Sequence, residues 1–201
     1  MSPRCSDSRG FLLVETLVAL MVISIVVSMG LRFLVPMLHI QSRTSERVEM
    51  QQRAERLMEM LRHDLACTTP QALTYGEFET ERLLAIQIPS DVQSNGRVVW
   101  KPELVIYRWD ASTRETTRSV WEDQRALLST SGPTSLSREE LRAVAGSTTP
   151  SMIIPWVASF EVKWEDQSSP GFPLEVETVL ESSRGETRTF QRTFTGRLTL
   201  I

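Results

Sequence analysis

Residues 11–31 form an apolar run of 21 positions (F-L-L-V-E-T-L-V-A-L-M-V-I-S-I-V-V-S-M-G-L) in which Glu15 is the only ionisable group. As a helix the run spans roughly 30 Å, enough to cross the hydrocarbon of a bilayer. A carboxylate inside such a segment costs about 2.5–3.5 kcal/mol on insertion scales, so it needs a partner or a purpose. The apolar character continues over residues 32–38, interrupted by Arg32 and Pro36. Arg32 lies where its stem stays in lipid while its head reaches water. Pro36 lacks a backbone donor and predicts a kink near residues 32–36.

From residue 41 to 65 the pattern changes to an amphipathic helix. Val48, Ala54, Met58, Leu61 and Leu65 recur on one face, while Arg47, Glu49, Arg53, Glu55, Arg56, Glu59 and Arg62 occupy the others. Glu49 and Arg53 are of opposite sign one turn apart, whereas Glu55 and Glu59 are of like sign, so the charges read as a solvated face. Thr68-Thr69-Pro70 ends the helix.

After Pro70 the texture becomes β. Residues 82–89 and 98–100 are short strand candidates, separated by a polar stretch in which Asn95-Gly96 favours a tight turn. Residues 103–110 and 115–121 flank Ala-Ser-Thr-Arg, a hairpin loop. Their Tyr and Trp side chains are suited to cross-strand packing. Residues 122–150 are rich in loop formers, with Ser137-Arg138-Glu139-Glu140 as a capping box opening a short helix to about Val144. Such an insert is where partner-specific contacts are expected. In residues 154–165, Trp156, Ala158, Phe160, Val162 and Trp164 alternate with Val157, Ser159, Glu161, Lys163 and Glu165. In residues 172–180, Phe172, Leu174, Val176 and Leu180 oppose Pro173, Glu175, Glu177 and Val179. In residues 187–200, Phe190, Phe194, Leu198 and Leu200 oppose a Thr- and Gln-rich face. Period two with one polar face indicates a half-exposed antiparallel sheet. The fold expected is therefore α+β: a long N-terminal helix, its first half membrane-spanning and its second half amphipathic, packed on a C-terminal antiparallel sheet.

At 201 residues the chain accommodates one membrane helix and one further domain. The net charge of −3 and the absence of a basic face argue against nucleic acid as the main partner. Arg4 and Arg9 flank the apolar run on its N-terminal side and favour a cytoplasmic N-terminus, which places the later domain outside the inner membrane. Of the two cysteines, Cys67 is a lone thiol in the domain, able to pair with another chain and more typically a small buried hydrophobe.

The residues around the start of the apolar run carry a resemblance. A short basic leader ending in Gly10, then Phe11, an apolar run, and a Glu five residues after the glycine resemble the prepilin-type signal of type IV pilins and type II secretion pseudopilins. The resemblance implies that a prepilin peptidase cuts between Gly10 and Phe11 and that the same enzyme N-methylates Phe11. It also implies that Glu15, as fifth mature residue, serves subunit assembly. The corresponding division is a leader of residues 1–10, a transmembrane helix of 11–38 and a pilin-like extracytoplasmic domain of 39–201. Loss of the leader lowers Lys+Arg from 22 to 20 and Asp+Glu from 25 to 24, a net charge of −4. In this family a helix-kinking proline usually sits a few residues nearer the N-terminus than Pro36.

Elementary chemistry supports each position. Glycine leaves the backbone open to a protease. A new Phe11 ammonium in an apolar setting needs a counter-charge, and Glu15, of the same or an adjacent subunit, is the one the segment offers. Across subunits that pairing would bring an incoming protomer into axial register. Ser28-Met29-Gly30 also looks like a secretory cleavage site, but the run is longer than an ordinary h-region and Glu15 interrupts it. The order V-x-S-F-x-V-x-W, turn, F-P-L-x-V, final strand is loosely similar to the C-terminal region of the J-type minor pseudopilin and the W-type minor pilin.

No phosphate-binding loop, G-x-S-x-G, H-E-x-x-H or C-x-x-C pair occurs, so no enzymatic activity, cofactor or metal is expected. His39 and His63 are 24 residues apart and suggest no shared site. Glu161, Glu165 and Asp166 could offer oxygen ligands to calcium, but a solvated sheet edge explains them as well. The function expected is that of a minor pilin or pseudopilin in a type II secretion or type IV pilus-like filament at the bacterial inner membrane. Its partners would be the prepilin peptidase, other pilins or pseudopilins, and inner-membrane lipid. The alternative is a membrane-anchored binding module or adhesin that uses the same signal.

Overall fold

The computed structural model describes residues 8–66, 68–92, 94, 98–122, 132–134, 136–164 and 172–195. Cys67, Asn95-Gly96, Glu165, Asp166, Leu198 and Leu200 lie outside the described residues. A long N-terminal helix is followed by antiparallel sheet, as the pattern predicts. Helix α1 (Ser8–Ala66) carries Pro36 within it and is helical on both sides of it. The chain divides into two compact units, Met1–Val48 and Glu49–Ile201.

Among the described residues of the first unit α1 has no other element to pack on. Its large apolar side chains from Leu13 to Ile40 are 49–80% exposed, which in water would be a prohibitive surface. The helix is long and apolar enough to cross a membrane. The Thr16 hydroxyl donates to the Leu13 carbonyl (2.9 Å), so this polar group is satisfied within the helix.

In the second unit the remainder of α1 is a core element. Met50, Ala54, Leu57, Met58, Leu61 and Leu65 are buried, and the stripe includes Asp64. Val48, expected on this face, is 48% exposed, because the buried stripe starts two residues later at Met50. A 3₁₀ turn at Pro70–Ala72 leads into a five-stranded antiparallel sheet in the order β1 (Leu73–Glu77), β2 (Glu81–Val92), β3 (Val98–Asp110), β4 (Glu115–Glu122), β5 (Pro150–Pro155). The hairpin at residues 111–114 is the one read from the sequence, and Asp110 caps it by accepting from the Ser112 N–H (2.8 Å). Helix α2 (Arg138–Ser147) opens on the expected capping box: Glu140 N–H donates to Ser137 Oγ (3.3 Å) and Ser137 N–H to Glu140 Oε2 (2.9 Å). It runs three residues beyond Val144.

A second, three-stranded sheet holds β6 (Val157–Trp164), β7 (Leu174–Glu181) and β8 (Thr187–Phe194). The first sheet has two apolar faces. One faces α2, through Leu83, Ala85, Leu104 and Ile106 against Leu141 and Ala145. The other joins α1 and the second sheet in a single core, in which Leu84, Ile86, Val105 and Tyr107 meet Phe160, Leu174, Val176 and Leu180. The strand expected over 154–165 is two strands, belonging to different sheets. Trp156, between them, has φ 66° and is 44% exposed, whereas Val157 is fully buried. The left-handed residue and a bulge between Val157 and Ser159 exchange the faces that simple alternation assigns to Trp156 and Val157, while from Phe160 on the expected alternation returns, with Phe160 and Val162 buried. The expected alternation does hold in β7, where Leu174, Val176, Thr178 and Leu180 are buried.

Candidate functional site

The Gly10–Phe11 bond lies in the first turn of α1, which begins at Ser8. The first four N–H groups of a helix have no intrahelical partner, so opening this turn sacrifices few backbone bonds. Glu15 follows Phe11 by four positions, one turn further along the same face, and is exposed. The structure thus sets the expected processing residues and the expected assembly residue on consecutive turns of one unpacked apolar helix. His39 and His63 both fall on α1. Among the described residues no three His, Cys, Asp or Glu side chains converge as a metal site. Glu161 is engaged with Lys163 (3.1 Å) and Arg82 (3.6 Å).

The second unit holds α1 by a charged contact that the sequence reading passes over. Asp64 is 3% exposed and sits among the apolar positions of the helix. The Tyr107 hydroxyl donates to its Oδ2 (2.6 Å). Arg118 donates from Nε to Oδ2 (2.9 Å) and from Nη2 to Oδ1 (3.2 Å), a two-pronged grip. Burial pushes the Asp64 carboxyl up, but hydrogen bonds from Arg118 and Tyr107 and the Arg118 charge prevail and hold it below the usual carboxylate range. Burial, and then Asp64, push the Tyr107 phenol well above its ordinary 10.0. An Asp on the buried stripe of an amphipathic helix was the available signal, since a buried carboxylate must find partners.

These directions set the pH dependence. A phenol raised above its unfolded value contributes fully below the unfolded pKa and loses that contribution as pH climbs. Tyr75, pushed up to about 12 by burial and then by Glu77, acts in the same direction. The thermal midpoint followed by tryptophan fluorescence should therefore fall from about pH 10 upward. All five tryptophans lie between residues 100 and 164, so the signal reports the second unit alone. Tyr107→Phe should make the alkaline fall shallower. Asp64, with its pKa lowered, acts on the other side: its contribution is complete above the usual 3.8 and is lost as pH drops below it.

A second polar anchor fixes the entry to α2. Gln87 is 1% exposed, its amide donating to the Lys101 carbonyl (2.6 Å) and its Oε1 accepting from the Thr134 N–H (2.6 Å). Thr68 Oγ1 donates to the Gln87 carbonyl (2.7 Å), tying the end of α1 to the same point of β2. Both anchors lie within the second unit, where they fasten the last turns of α1 and the entry to α2 to the first sheet. Comparison with protein-family models, with curated proteins and with solved structures returns no match.

Proposed function

We propose that this chain is a minor pilin or pseudopilin, a subunit that joins a type II secretion or type IV pilus-like filament through its N-terminal helix. The observation that carries this reading is the division of labour along α1. From Met50 onward the helix is an integral core element of a folded unit, while from Leu13 to Ile40 its apolar surface is left for lipid or for other helices. A lipid anchor alone would explain the apolar surface but not Glu15 five residues after Gly10. In a bundle of such helices the Glu15 carboxylate and the Phe11 ammonium neutralise each other. On this reading the N-terminus is cytoplasmic, the span is the single pass of an inner-membrane protein, and the second unit is periplasmic or extracellular. The partners are the prepilin peptidase, other pilins or pseudopilins and membrane lipid.

Processing tests it. Gly10→Val places a β-branched side chain at the scissile bond and should leave full-length precursor in the membrane when a prepilin peptidase is coexpressed, while the wild type is shortened by ten residues. An unshortened wild type, or shortening after Gly30 in both, overturns the reading.

A further inference from the structure

Strand β6 threads beneath one end of the first sheet. Its Val157 N–H donates to the Arg114 carbonyl (2.8 Å), and the Trp109 indole donates to the Val157 carbonyl (2.9 Å). Arg82 reaches the Phe160 carbonyl (3.1 Å), and Trp164 meets Tyr75 edge to face with centroids 5.1 Å apart. The strand therefore passes the ends of β4, β3, β2 and β1 in turn. Where it leaves them, a cleft of about 450 Å³ opens, within the size range of ligand sites.

The cleft is rich in donors without acceptors. Trp164 Nε1 is buried with no hydrogen-bond partner, an unfavourable state for a donor unless something satisfies it. Tyr75 turns a phenol with no acceptor among the described residues towards the same space. Arg138, on the first turn of α2, is exposed and has no ion pair among the described residues. The carboxylates nearby are already matched: Glu77 by Arg82 (3.1 Å) and Glu161 by Lys163 (3.1 Å). Among the described lining residues the unmatched charge is thus positive.

The cleft also carries an open strand edge. Among the described residues no strand pairs with β6 on the side away from β7. The Phe160 carbonyl points to that side, since Arg82 takes it, and by strand alternation the Val162 N–H and carbonyl do likewise. The other edge of this sheet is guarded. On β8, Arg188 and Arg192 stand opposite Leu180 and Val176, charges on the inner face that discourage strand addition.

We infer that this cleft binds an extended, acidic segment of a partner protein. The segment adds to the free edge of β6 at Val162 and places a carboxylate on the Arg138 guanidinium and the Trp164 indole N–H. The inference is independent of how the chain is processed at its N-terminus.

The test uses the full chain in detergent and a blocked hexapeptide of alternating threonine and glutamate, with tryptophan fluorescence as readout. Saturable binding is expected, and replacing glutamate by glutamine in the peptide should weaken it about tenfold or more, the worth of a charge-assisted hydrogen bond. Arg138→Gln, at an exposed position, should bind the glutamate peptide no better than the wild type binds the glutamine one. Absence of binding, equal affinity for the two peptides, or an unchanged affinity in Arg138→Gln overturns the proposal. So does equally tight binding of free glutarate, which would make the cleft a small-anion site.

Discussion

Asp64→Ala is expected to destabilise the second unit by about 3 kcal/mol or more, in the range found when one partner of a buried ion pair is removed. The substitution strips two groups at once: it leaves the fully buried Tyr107 hydroxyl without its acceptor and Arg118 without its counter-ion. Arg118 keeps 23% of its side chain exposed and can recover some hydration, which argues for the lower end of that range. Tyr107→Phe removes one hydrogen bond to a charged group and should cost about 1.5–3 kcal/mol. Asp64→Ala combined with Tyr107→Phe should cost less than the sum of the two, because they share a partner. Tryptophan-monitored urea unfolding of the full chain in detergent measures all three. A loss below about 1 kcal/mol for Asp64→Ala would mean that the contact is a surface-like pair and does not fasten α1 to the first sheet.

Glu15→Leu should act on assembly and not on insertion. A lone carboxylate disfavours the bilayer core, so the leucine variant should reach the membrane at least as well as wild type and still be shortened at Gly10. In a filament core it leaves the Phe11 ammonium uncompensated at low dielectric. A deficit of about 3–5 kcal/mol corresponds to roughly a hundredfold or more in subunit affinity. The expected result is normal membrane abundance with the protein nearly absent from sheared or cross-linked filaments. Normal co-assembly would remove Glu15 from subunit registration, and failure to reach the membrane would move its role to insertion.

The elements legible in the sequence were those set by local rules. Period two marks β7, Ser137 and Glu140 mark the start of α2, and the apolar run with its single carboxylate marks the exposed half of α1. What stayed hidden depends on long-range geometry. Trp156 and Val157 exchange faces because a left-handed residue and a bulge interrupt the alternation, and neither has a local signature beyond Pro155 closing β5. The division into two sheets follows from the same break. Leu73–Glu77 is too short and too mixed, with Gly76 in it, to stand out as a strand, yet β2 pairs with all five of its residues. The Asp64 cluster joins residues 43 and 54 positions apart, so the sequence shows its anomaly and not its partners. The candidate processing residues are the reverse case. Gly10, Phe11 and Glu15 are read from the sequence, and the structure adds that they occupy successive turns of a helix with no partner in its own unit.

The most direct test of the filament-subunit reading is the intact mass of the wild-type protein recovered from membranes that contain a prepilin peptidase. The mass expected is that of residues 11–201 plus one methyl group, with fragmentation placing the methyl on the amino group of Phe11. A chain that retains residues 1–10, or one that begins at Leu31, would contradict it.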